Sequence, residues 1–379
     1  MQKSLLYLLG MVFGVGIASN DIYLSALPHL SALHSITPWL INCTLVGYFI
    51  ATAIASLLYA PLLSYIDRKQ LFNLCVLLFS GASILISLSG EIAYIILGRI
   101  LQGIAFGIIQ PTLLATVREQ FPTNTSGALA AMSFATEVFC TFIPTLGALS
   151  FTYVSWNSPF LIIGLIAAVL LGKAQPILTT TVGGVKSRIN LISLKKLAQK
   201  QNFVRYNAIS FLMIGLGWGM ITMSAYLFDS PLSHGFFYSG YGAFYALGCL
   251  LCERNIVTTP RILQAFPYII ISVGMMLSLG FFTTNVSLVI MAILGFGLTS
   301  GLVYGPIISQ ALATIEPHDV DLASSLVIFC RLMGSCSFIA MASWLYFTEV
   351  AYFALFIGAV CCLISLLLAM RKPVTVQLI

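Results

Sequence analysis

Charged residues are scarce in this sequence. Only 7% of its 379 residues are Asp, Glu, Lys or Arg, whereas soluble domains carry roughly 25%. Hydrophobic residues make up 59% of the chain, and they recur throughout it in runs close to the ~20 residues that cross a bilayer. This composition excludes a soluble globular protein. Since the short alternating segments of a barrel are also missing, we predict an all-α polytopic membrane protein.

Residues that could carry enzymatic or metal chemistry are also few. The four histidines lie at the edges of apolar runs or between them, and the nine cysteines all lie within apolar runs. Cys249 and Cys252 have the spacing of a zinc half-site, but no second pair or nearby histidine completes a ligand set. We find no phosphate-binding loop, nucleophile elbow or pair of catalytic carboxylates. We therefore predict neither an enzyme nor a metal site.

The apolar runs predict twelve transmembrane helices. Their approximate bounds are 4–28, 38–63, 71–89, 92–117, 126–150, 157–174, 203–228, 236–252, 263–282, 286–312, 321–346 and 350–370. The connections are short except for 175–202, which separates six spans from six. We predict a six-helix bundle at 1–174 and another at 203–379. The linker between them is expected to carry a short basic amphipathic helix (189–200) along the membrane surface.

The basic residues predict the orientation in the membrane. Every Lys and Arg except Arg99 and Arg331 falls in segments on one side of the predicted spans, and the connections on the other side contain none. By the positive-inside rule, both termini and the linker are cytoplasmic, in an inner-membrane protein. The net charge of +6 then reflects topology, so we expect no nucleic-acid partner. The N-terminus has features of a signal peptide, but cleavage would reverse the charge pattern, so we expect 4–28 to remain as the first span.

The two halves show traces of an internal repeat. Shifting the sequence so that Gly103 meets Gly297 also brings Gly107 onto Gly301. Two six-helix halves in the same orientation are the parallel-repeat plan of one large class of transporters. In that plan, the halves rock about a site that lies between them.

The same shift aligns Glu137 with Arg331, which have opposite charges near the middle of their spans. A charge at that depth costs at least about 3 kcal/mol unless it has a partner or faces water. The two side chains either face one another across a cavity between the halves or are each satisfied by a neighbour in their own half.

A second pair of opposite charges lies in the first half. The first span has too few apolar residues before Asp21 to cross the bilayer, so we expect its helix to continue to about Pro28. Asp21 then lies roughly 10 Å inside the membrane, at about 1.5 Å per residue. Arg99 lies at a similar depth in the fourth span, which runs the opposite way. We predict that Asp21 and Arg99 form an ion pair or share a proton-dependent network, because ionisable residues inside membranes are usually functional.

Arg99 belongs to a polar stripe on its helix. Gln102 and Gln110 share a narrow arc with it, which predicts a helix that lines an aqueous cavity. Gly103 and Gly107 have the GxxxG spacing that lets a neighbouring helix approach closely.

Four segments of the chain carry motifs. They are "DIYLSALPHL" (21–30), "GRILQG" (98–103), "PTLGA" (144–148) and "YLFDSPLSHGFFYSGYGAFYALG" (226–248). These resemble the first-helix signature, the fourth-helix arginine motif, the fifth-helix antiporter motif and the connection between helices seven and eight of the major facilitator superfamily. Within that superfamily, they resemble the Bcr/CflA-type drug:proton antiporters. The resemblance implies the twelve-helix fold, a role for Arg99 in proton transfer, and a conformational role for Gly103, Gly107, Pro144 and Gly147.

Several positions depart from the family pattern. Ser25 stands at a usual proline, Ile143 and Ala148 at usual glycines, Ser64 at an acidic position and Asp67 at another glycine. Ser64, Asp67, Arg68 and Lys69 belong to the loop between the second and third spans, which in the family latches the conformational states. The resemblance therefore implies a gating loop here with an altered sequence.

The charges and the resemblance together predict a secondary transporter. We expect proton-coupled efflux of a small amphipathic molecule, a drug-like compound or a metabolite, by alternating access. Burial disfavours the charged form of Asp21 whereas a nearby Arg99 favours it, so small changes in geometry could load and unload a proton. The proton, as the coupling ion, is the only cofactor that we expect. The expected partners are the lipid bilayer and the small-molecule substrate, and we expect a monomer.

The predicted substrate cavity takes residues from both halves. They are Tyr23, Gln102, Gln110, Glu137, Trp218, Tyr241, Tyr245, Tyr304 and Arg331. Glu137 would attract a cationic substrate and Arg331 an anionic one, so the sequence leaves the charge of the substrate open. A proton-linked or passive importer of a nutrient or siderophore would share this architecture. A non-transporting sensor would need a larger soluble domain than the linker provides.

Overall fold

A computed structural model describes residues 2–33, 35–63, 65–89, 91–121, 125–174, 191–253, 259–312, 315 and 320–369. Within these ranges the regular elements are helices. They are α1 (Gln2–Leu24), α2 (Leu27–Leu33), α3 (Pro38–Leu62), α4 (Arg68–Leu88), α5 (Ile92–Gln120), α6 (Thr125–Tyr153), α7 (Ser158–Ala174), α8 (Leu191–Gln199), α9 (Gln201–Ser224), a short 3-10 helix (Ala225–Leu227), α10 (Pro231–Glu253), α11 (Thr259–Phe282), α12 (Val286–Leu312), α13 (Val320–Thr348) and α14 (Val350–Ala369).

The long helices have the length and composition of membrane spans. Eleven of the described helices are long and apolar enough to cross a membrane, and α7 is a shorter apolar helix of 17 residues. The prediction of an all-α multi-pass membrane fold is confirmed, and each predicted span overlaps one of these helices. The count of twelve spans and the cytoplasmic position of the termini stay predictions.

The first span ends earlier than predicted. We expected one helix to reach Pro28, but α1 ends at Leu24, and α2 begins two residues later. Pro28 is the second residue of α2, a position where its missing N–H leaves no helical hydrogen bond unmade. Ser25 and Ala26 therefore form a break between two helices.

Two helix starts follow directly from the local sequence. α3 begins at Pro38, where a fixed backbone angle suits the first helical turn. α4 begins after Asp67, whose side chain accepts a hydrogen bond from the Lys69 backbone N–H at 3.0 Å. Asp67 is therefore a helix cap, which accounts for an acidic residue at this position of the loop.

Only part of the predicted linker is described. Residues 175–190 lie outside the described ranges, and α8 covers most of the remainder of the predicted helix at 189–200. Lys195 and Lys196 are exposed on α8, whereas Leu197 is buried in a small cluster with Phe203 of α9. Leu197 of the linker helix thus packs against the protein, and the amphipathic character of the whole helix stays a prediction. Its contact with the membrane surface stays a prediction.

The helices pack as two groups. We refer to α1–α7 as the first bundle and to α9–α14 as the second bundle. In the first, α1 packs on α6 and α7, and α5 packs on α3 and α4. In the second, α9 packs on α13, and α12 packs on α10 and α11. The bundles meet where α6 lies against α10 and where α3 lies against α13.

The GxxxG glycines of α5 are the points where α5 approaches α3. A Cβ on Gly103 would lie 2.5 Å from the carbonyl oxygen of Tyr48, and a Cβ on Gly107 would lie 2.5 Å from that of Thr52. Since a side chain could not be accommodated at that distance from backbone, the close approach predicted from the spacing is present. Whether these glycines act in conformational change stays a prediction.

The aligned glycines of the second bundle do the same for α12 and α10. A Cβ on Gly297 would lie 3.1 Å from the carbonyl oxygen of Tyr241, and a Cβ on Gly301 would overlap that of Tyr245. The glycine pair of α5 thus packs against the backbone of α3, and the glycine pair of α12 packs against the backbone of α10. These two helix pairs occupy equivalent places in the two bundles. This shared packing supports the internal repeat that the sequence shift suggested.

Candidate functional site

The two bundles are joined by hydrogen bonds at one end, where α1 ends and α3 begins. We call it the closed end. Trp218 of α9, half-buried, meets Phe49 of α3 edge-on across the bundles, with ring centroids 4.8 Å apart. Hydrogen bonds between the bundles in the described part of the chain include Asn42 Nδ2 to Ser343 Oγ at 2.8 Å, Thr145 Oγ1 to Gly235 O at 3.2 Å, Thr145 with Ser239 at 2.7 Å, Ser25 with His234 at 2.9 Å, and Tyr238 to Asp21 at 2.6 Å.

Asp21 lies in this contact between the bundles. It is in the last turn of α1, is 4% exposed, and accepts a hydrogen bond from the hydroxyl group of Tyr238 on α10. The carboxylate is also within electrostatic range of Glu137. Asp21 is therefore held away from bulk water, as its predicted depth implied, but its bonded partner belongs to the second bundle.

The predicted ion pair between Asp21 and Arg99 is wrong for this conformation, whereas the alternative of a shared proton-dependent network stays a prediction. Among the described residues, no carboxylate oxygen lies within 4.0 Å of Arg99. Arg99 instead donates to the side-chain oxygen of Asn20, the residue before Asp21. Successive residues of a helix point about 100° apart, so when Asn20 faces Arg99 inside the first bundle, Asp21 faces the second bundle.

The two terminal nitrogens of Arg99 are hydrogen-bonded within the first bundle, whereas its Nε has no hydrogen-bond partner among the described residues. Arg99 is 0% exposed, and its Nη1 donates to the Ser19 carbonyl oxygen at 3.1 Å and to Gln102 Oε1 at 2.6 Å. Its guanidinium carbon lies 4.9 Å from the ring centroid of Tyr23 and 4.4 Å from that of Tyr48. Aromatic faces attract cations, so these contacts stabilise a buried positive charge that has no carboxylate beside it.

Two residues predicted to line the substrate cavity are placed elsewhere. Gln102 is 0% exposed and donates to Ser83 of α4 at 2.7 Å. Tyr23 is buried against Phe160, and its hydroxyl bonds to Thr44 at 2.9 Å. Because α1, α3 and α4 all pack around α5, Arg99 and Gln102 of its polar stripe lie inside the first bundle and do not line a cavity between the bundles.

Gln110 lies further along the same helix and is only partly buried. Its Oε1 is buried without a hydrogen-bond partner among the described residues. An unbonded amide oxygen inside a protein is unfavourable, so Gln110 has an acceptor available. Its predicted place in the cavity wall stays a prediction.

One expected result concerns Arg99. Arg99→Lys keeps the charge but cannot bond Ser19, Asn20 and Gln102 at once, because an ammonium lacks the planar fork of a guanidinium. We expect the variant to lose about 2 kcal/mol of stability, which thermal unfolding in detergent would measure. Asn20→Asp keeps an acceptor beside Arg99 and is expected to unfold at or above the wild-type temperature. If Asn20→Asp is as unstable as Arg99→Lys, the contact between positions 20 and 99 is contradicted.

One face of α10 carries polar aromatic residues from the closed end toward the middle of the helix. His234, Tyr238, Tyr241 and Tyr245 recur at intervals of four, three and four, which is the helical period. Neighbouring ring centroids along the first part of this face are 6.0 and 6.1 Å apart. Sequence analysis selected Tyr241 and Tyr245 but missed Tyr238, the partner of Asp21, although the spacing was visible in the sequence.

His234 is the other residue that sequence analysis missed. It was assigned to a span edge, but it is 0% exposed. Ser224 donates its own proton to the Ile221 carbonyl oxygen and lies 3.0 Å from His234 Nε2, so the imidazole donates there. In a neutral imidazole, Nδ1 then accepts from Ser25 at 2.9 Å. Ser25 is the residue that departs from the family's proline, and here its hydroxyl group joins the break after α1 to the second bundle.

A second expected result concerns this histidine. His234→Ala removes the bonds to Ser25 and Ser224. Hydrogen exchange in the first turn of α10 should accelerate roughly fivefold, because an interhelical hydrogen bond in a membrane protein contributes about 1 kcal/mol. His29→Ala is the matched control, since His29 is half-buried near the same end and its ring lies 6.1 Å from Phe151 in its own bundle. Equal acceleration in both variants would contradict a joining role for His234.

Glu137 and Arg331 lie on opposite bundles at a deeper level. Glu137 is on α6, and Arg331 is on α13, where its guanidinium carbon is 4.6 Å from the ring centroid of Tyr304. The Tyr304 ring is 6.4 Å from that of Tyr245. All four residues are partly exposed, and Glu137 is within electrostatic range of Arg331. Arg331 thus has an aromatic neighbour in its own bundle, and the choice between the two alternatives left by the sequence stays a prediction.

The fifth-helix motif lies where α6 contacts α1 and α10. A Cβ on Gly147 would overlap the backbone of Ile22 in α1. On the other side, a Cβ on Gly235 of α10 would lie 2.6 Å from Ala148 Cβ and 3.1 Å from the Pro144 carbonyl oxygen. Ala148 replaces a family glycine, and Gly235 leaves the room that its methyl group occupies. A conformational role for Pro144 and Gly147 stays a prediction.

The loop between α3 and α4 has a local ion pair. Arg68 donates to both carboxylate oxygens of Glu119, near the end of α5, at 2.7 Å. Asp67 caps α4, as described above, while Ser64 lies outside the described residues. Arg68 therefore ties this loop to its own bundle, and the gating role of the loop stays a prediction.

Comparisons with known proteins agree on the family. The model of the Major Facilitator Superfamily matches residues 7–339. The chain is 24% identical over 222 residues to the "Putative multidrug resistance protein MdtD" of Salmonella newport (strain SL254), covering 56% of this chain and 42% of that protein. It is 30% identical over 172 residues to the protein of the same name from Escherichia coli O9:H4 (strain HS), covering 42% and 36%. The chain therefore spans less than half the length of these relatives.

A solved structure has the same fold. The crystal structure of the human organic anion transporter MFSD10 (TETRAN) superposes with a TM-score of 0.72 at 13% sequence identity, and the match covers 97% of this chain and 98% of that one. At this identity the likeness concerns the arrangement of helices alone.

Proposed function

Because the chain belongs to the Major Facilitator Superfamily, a family of membrane transporters, we propose that it is a proton-coupled exporter of a small amphipathic molecule across the inner membrane. The observation that carries this proposal is the buried carboxylate of Asp21, which accepts a hydrogen bond from Tyr238 of the opposite bundle. An ionisable group at the contact between two moving bodies can link proton binding to their motion.

The physical link between protonation and motion is the burial of Asp21. Alternating access requires the bundles to separate at the closed end, which breaks the bond between Asp21 and Tyr238 and admits water. A neutral carboxyl is easier to bury than a carboxylate. Proton uptake from the outer side therefore favours reclosure around Asp21. After the proton leaves toward the cytoplasm, the hydrogen bond from Tyr238 stabilises the carboxylate, and substrate binding drives the opposite transition.

Arg99 acts in this scheme as a positioning residue. Its bonds to the Ser19 carbonyl oxygen and to Asn20 hold the last turns of α1. They fix the direction in which Asp21 points, toward α10. In this proposal, Arg99 contributes to proton transfer by positioning Asp21 and not by forming an ion pair with it.

Efflux is favoured over uptake by the names of the curated relatives, which are described as putative multidrug resistance proteins.

The test uses purified protein in lipid vesicles that contain a pH-sensitive dye. Radiolabelled amphipathic compounds are added outside, one at a time. For a transported compound we expect protons to leave the lumen as the compound enters. Protons that enter together with the compound would establish symport, and uptake without any pH change would establish passive transport. Either of those results would overturn the proposal.

A further inference from the structure

Two unpaired charges of opposite sign face the same space between the bundles. α6 and α10 run antiparallel, with Thr145 bonded to Ser239, and a Cβ on Gly242 would lie 3.3 Å from Thr141. Continuing this register by one turn brings Glu137 beside the turn of α10 that carries Tyr245. Tyr245 in turn contacts Tyr304, the tyrosine on which Arg331 of the second bundle stacks.

Neither charge is satisfied by an ion pair. Among the described residues, Glu137 and Arg331 have no oppositely charged atom within 4.0 Å, and Arg331 Nε has no hydrogen-bond partner. A charge left unpaired inside a membrane protein is unfavourable by at least about 3 kcal/mol unless it faces water or a ligand. Both side chains are partly exposed, so both are accessible to a molecule between the bundles.

A pair of tyrosine rings in contact with each other lies beside the two charges. The rings of Tyr245 and Tyr304 lie 6.4 Å apart, and Tyr304 carries Arg331 on its face. Tyrosine offers an apolar ring to a flat ligand and a hydroxyl group to a polar one. A ligand that carried only one charge would leave either Glu137 or Arg331 unpaired and would remove water from it. A ligand with both charges would satisfy both residues at once.

We propose that the substrate is an aromatic zwitterion, whose cationic group binds Glu137 and whose anionic group binds Arg331, with its ring packed against the side of the Tyr245 and Tyr304 pair. The proposal rests on the transport function proposed above and names its substrate class. Because the two charged residues belong to different bundles, such a substrate draws the bundles together at this depth. Binding would then favour one conformation over the other without any direct contact with Asp21.

The test measures binding to purified protein in detergent, by equilibrium dialysis, with no proton gradient. The probe is an aminomethyl-biphenyl-carboxylic acid, which is a zwitterion at neutral pH. Its methyl ester is only cationic, and its N-acetyl derivative is only anionic. We expect the zwitterion to bind at least about tenfold more tightly than either derivative, since one satisfied buried charge is worth about 1.4 kcal/mol or more. Equal affinity of the zwitterion and either derivative would overturn the proposal.

Amide variants identify which residue binds which end. In Glu137→Gln, the zwitterion should bind no better than the anionic derivative, and in Arg331→Gln no better than the cationic one. The double variant Glu137→Arg, Arg331→Glu should recover the preference for the zwitterion, because it restores both charges in exchanged positions. Thermal unfolding verifies that each variant is folded, and variants that keep the wild-type preference would overturn the assignment.

The outcomes separate this inference from the proposed function. Binding of the zwitterion requires no proton coupling, so it can fail while proton-driven exchange of another compound succeeds. Conversely, a selective zwitterion site could exist in a passive transporter.

Discussion

In Asp21→Asn, the proton movement that accompanies transport is expected to disappear completely, while exchange of labelled for unlabelled substrate continues. Asparagine has the size of aspartate, and its Oδ1 can still accept the hydrogen bond that Tyr238 donates at 2.6 Å. It cannot bind or release a proton. The substitution therefore removes the titratable group and leaves the contact between the bundles in place. Vesicles with a lumenal pH dye and radiolabelled substrate measure both quantities in the same sample.

The matched control is Asp229→Asn. Asp229 is an exposed residue between the 3-10 helix and α10, near the same end of the protein. Its substitution removes the same charge without touching the contact between the bundles, and coupling should be unchanged. If Asp21→Asn keeps the wild-type number of protons per substrate, Asp21 is not the coupling site. Glu137→Gln then becomes the decisive variant, because Glu137 is another partly buried carboxylate between the bundles.

Gly147→Ala is expected to be among the most destabilising single methyl additions in the chain. The new Cβ would overlap the backbone of Ile22, and backbone cannot rotate away as a side chain can. Forced overpacking of this kind costs about 3 kcal/mol. Since Ile22 follows Asp21, displacement of α1 should also disturb the bond between Asp21 and Tyr238.

The measurement uses the free thiols of the protein. Cys140 is a buried free cysteine about two turns away on α6, and its Sγ lies 3.6 Å from the Gly14 carbonyl oxygen of α1, so its reaction with a thiol-reactive fluorophore reports the temperature at which α1 and α6 separate. Gly172→Ala is the control, because a Cβ on that exposed helical glycine would meet no atom within 4 Å. The control should unfold at the wild-type temperature or slightly above it, since alanine favours helices by about 1 kcal/mol over glycine. Equal unfolding temperatures for Gly147→Ala and wild type would contradict the close approach of α1 and α6.

The charged residues of the first bundle illustrate what a sequence can and cannot predict. Helix rise gave a depth for Asp21 and a matching depth for Arg99, and the structure does join the last turns of α1 to Arg99. The bonded residue is Asn20, however, and Asp21 points the other way. Depth depends on residue number alone, whereas direction depends on which neighbours surround each helix.

The residues of the second bundle that bond to Asp21 and Ser25 were harder to predict from the sequence. Tyr238 and His234 share a helical face with Tyr241 and Tyr245, and that periodicity was visible in the sequence. Nothing local indicated that this face meets Asp21 and Ser25, which lie more than two hundred positions earlier in the chain. The close helix contacts at the glycine pairs of α5 and α12 were easier to predict. GxxxG spacing puts two glycines on one face of a helix, and that face allows any neighbouring helix to approach closely.

The sequence by itself determined that this chain is an all-helical multi-pass membrane protein and approximately where its long apolar helices lie, because runs of hydrophobic residues are read along one dimension. Only the tertiary structure decided which residues contact one another. It turned Asp21 toward Tyr238, enclosed Arg99 within one bundle, and placed Glu137 and Arg331 on different bundles within electrostatic range of each other. The physical reason is that the rotation of a helix about its axis is fixed by packing against all of its neighbours together, and no short stretch of residues contains that information.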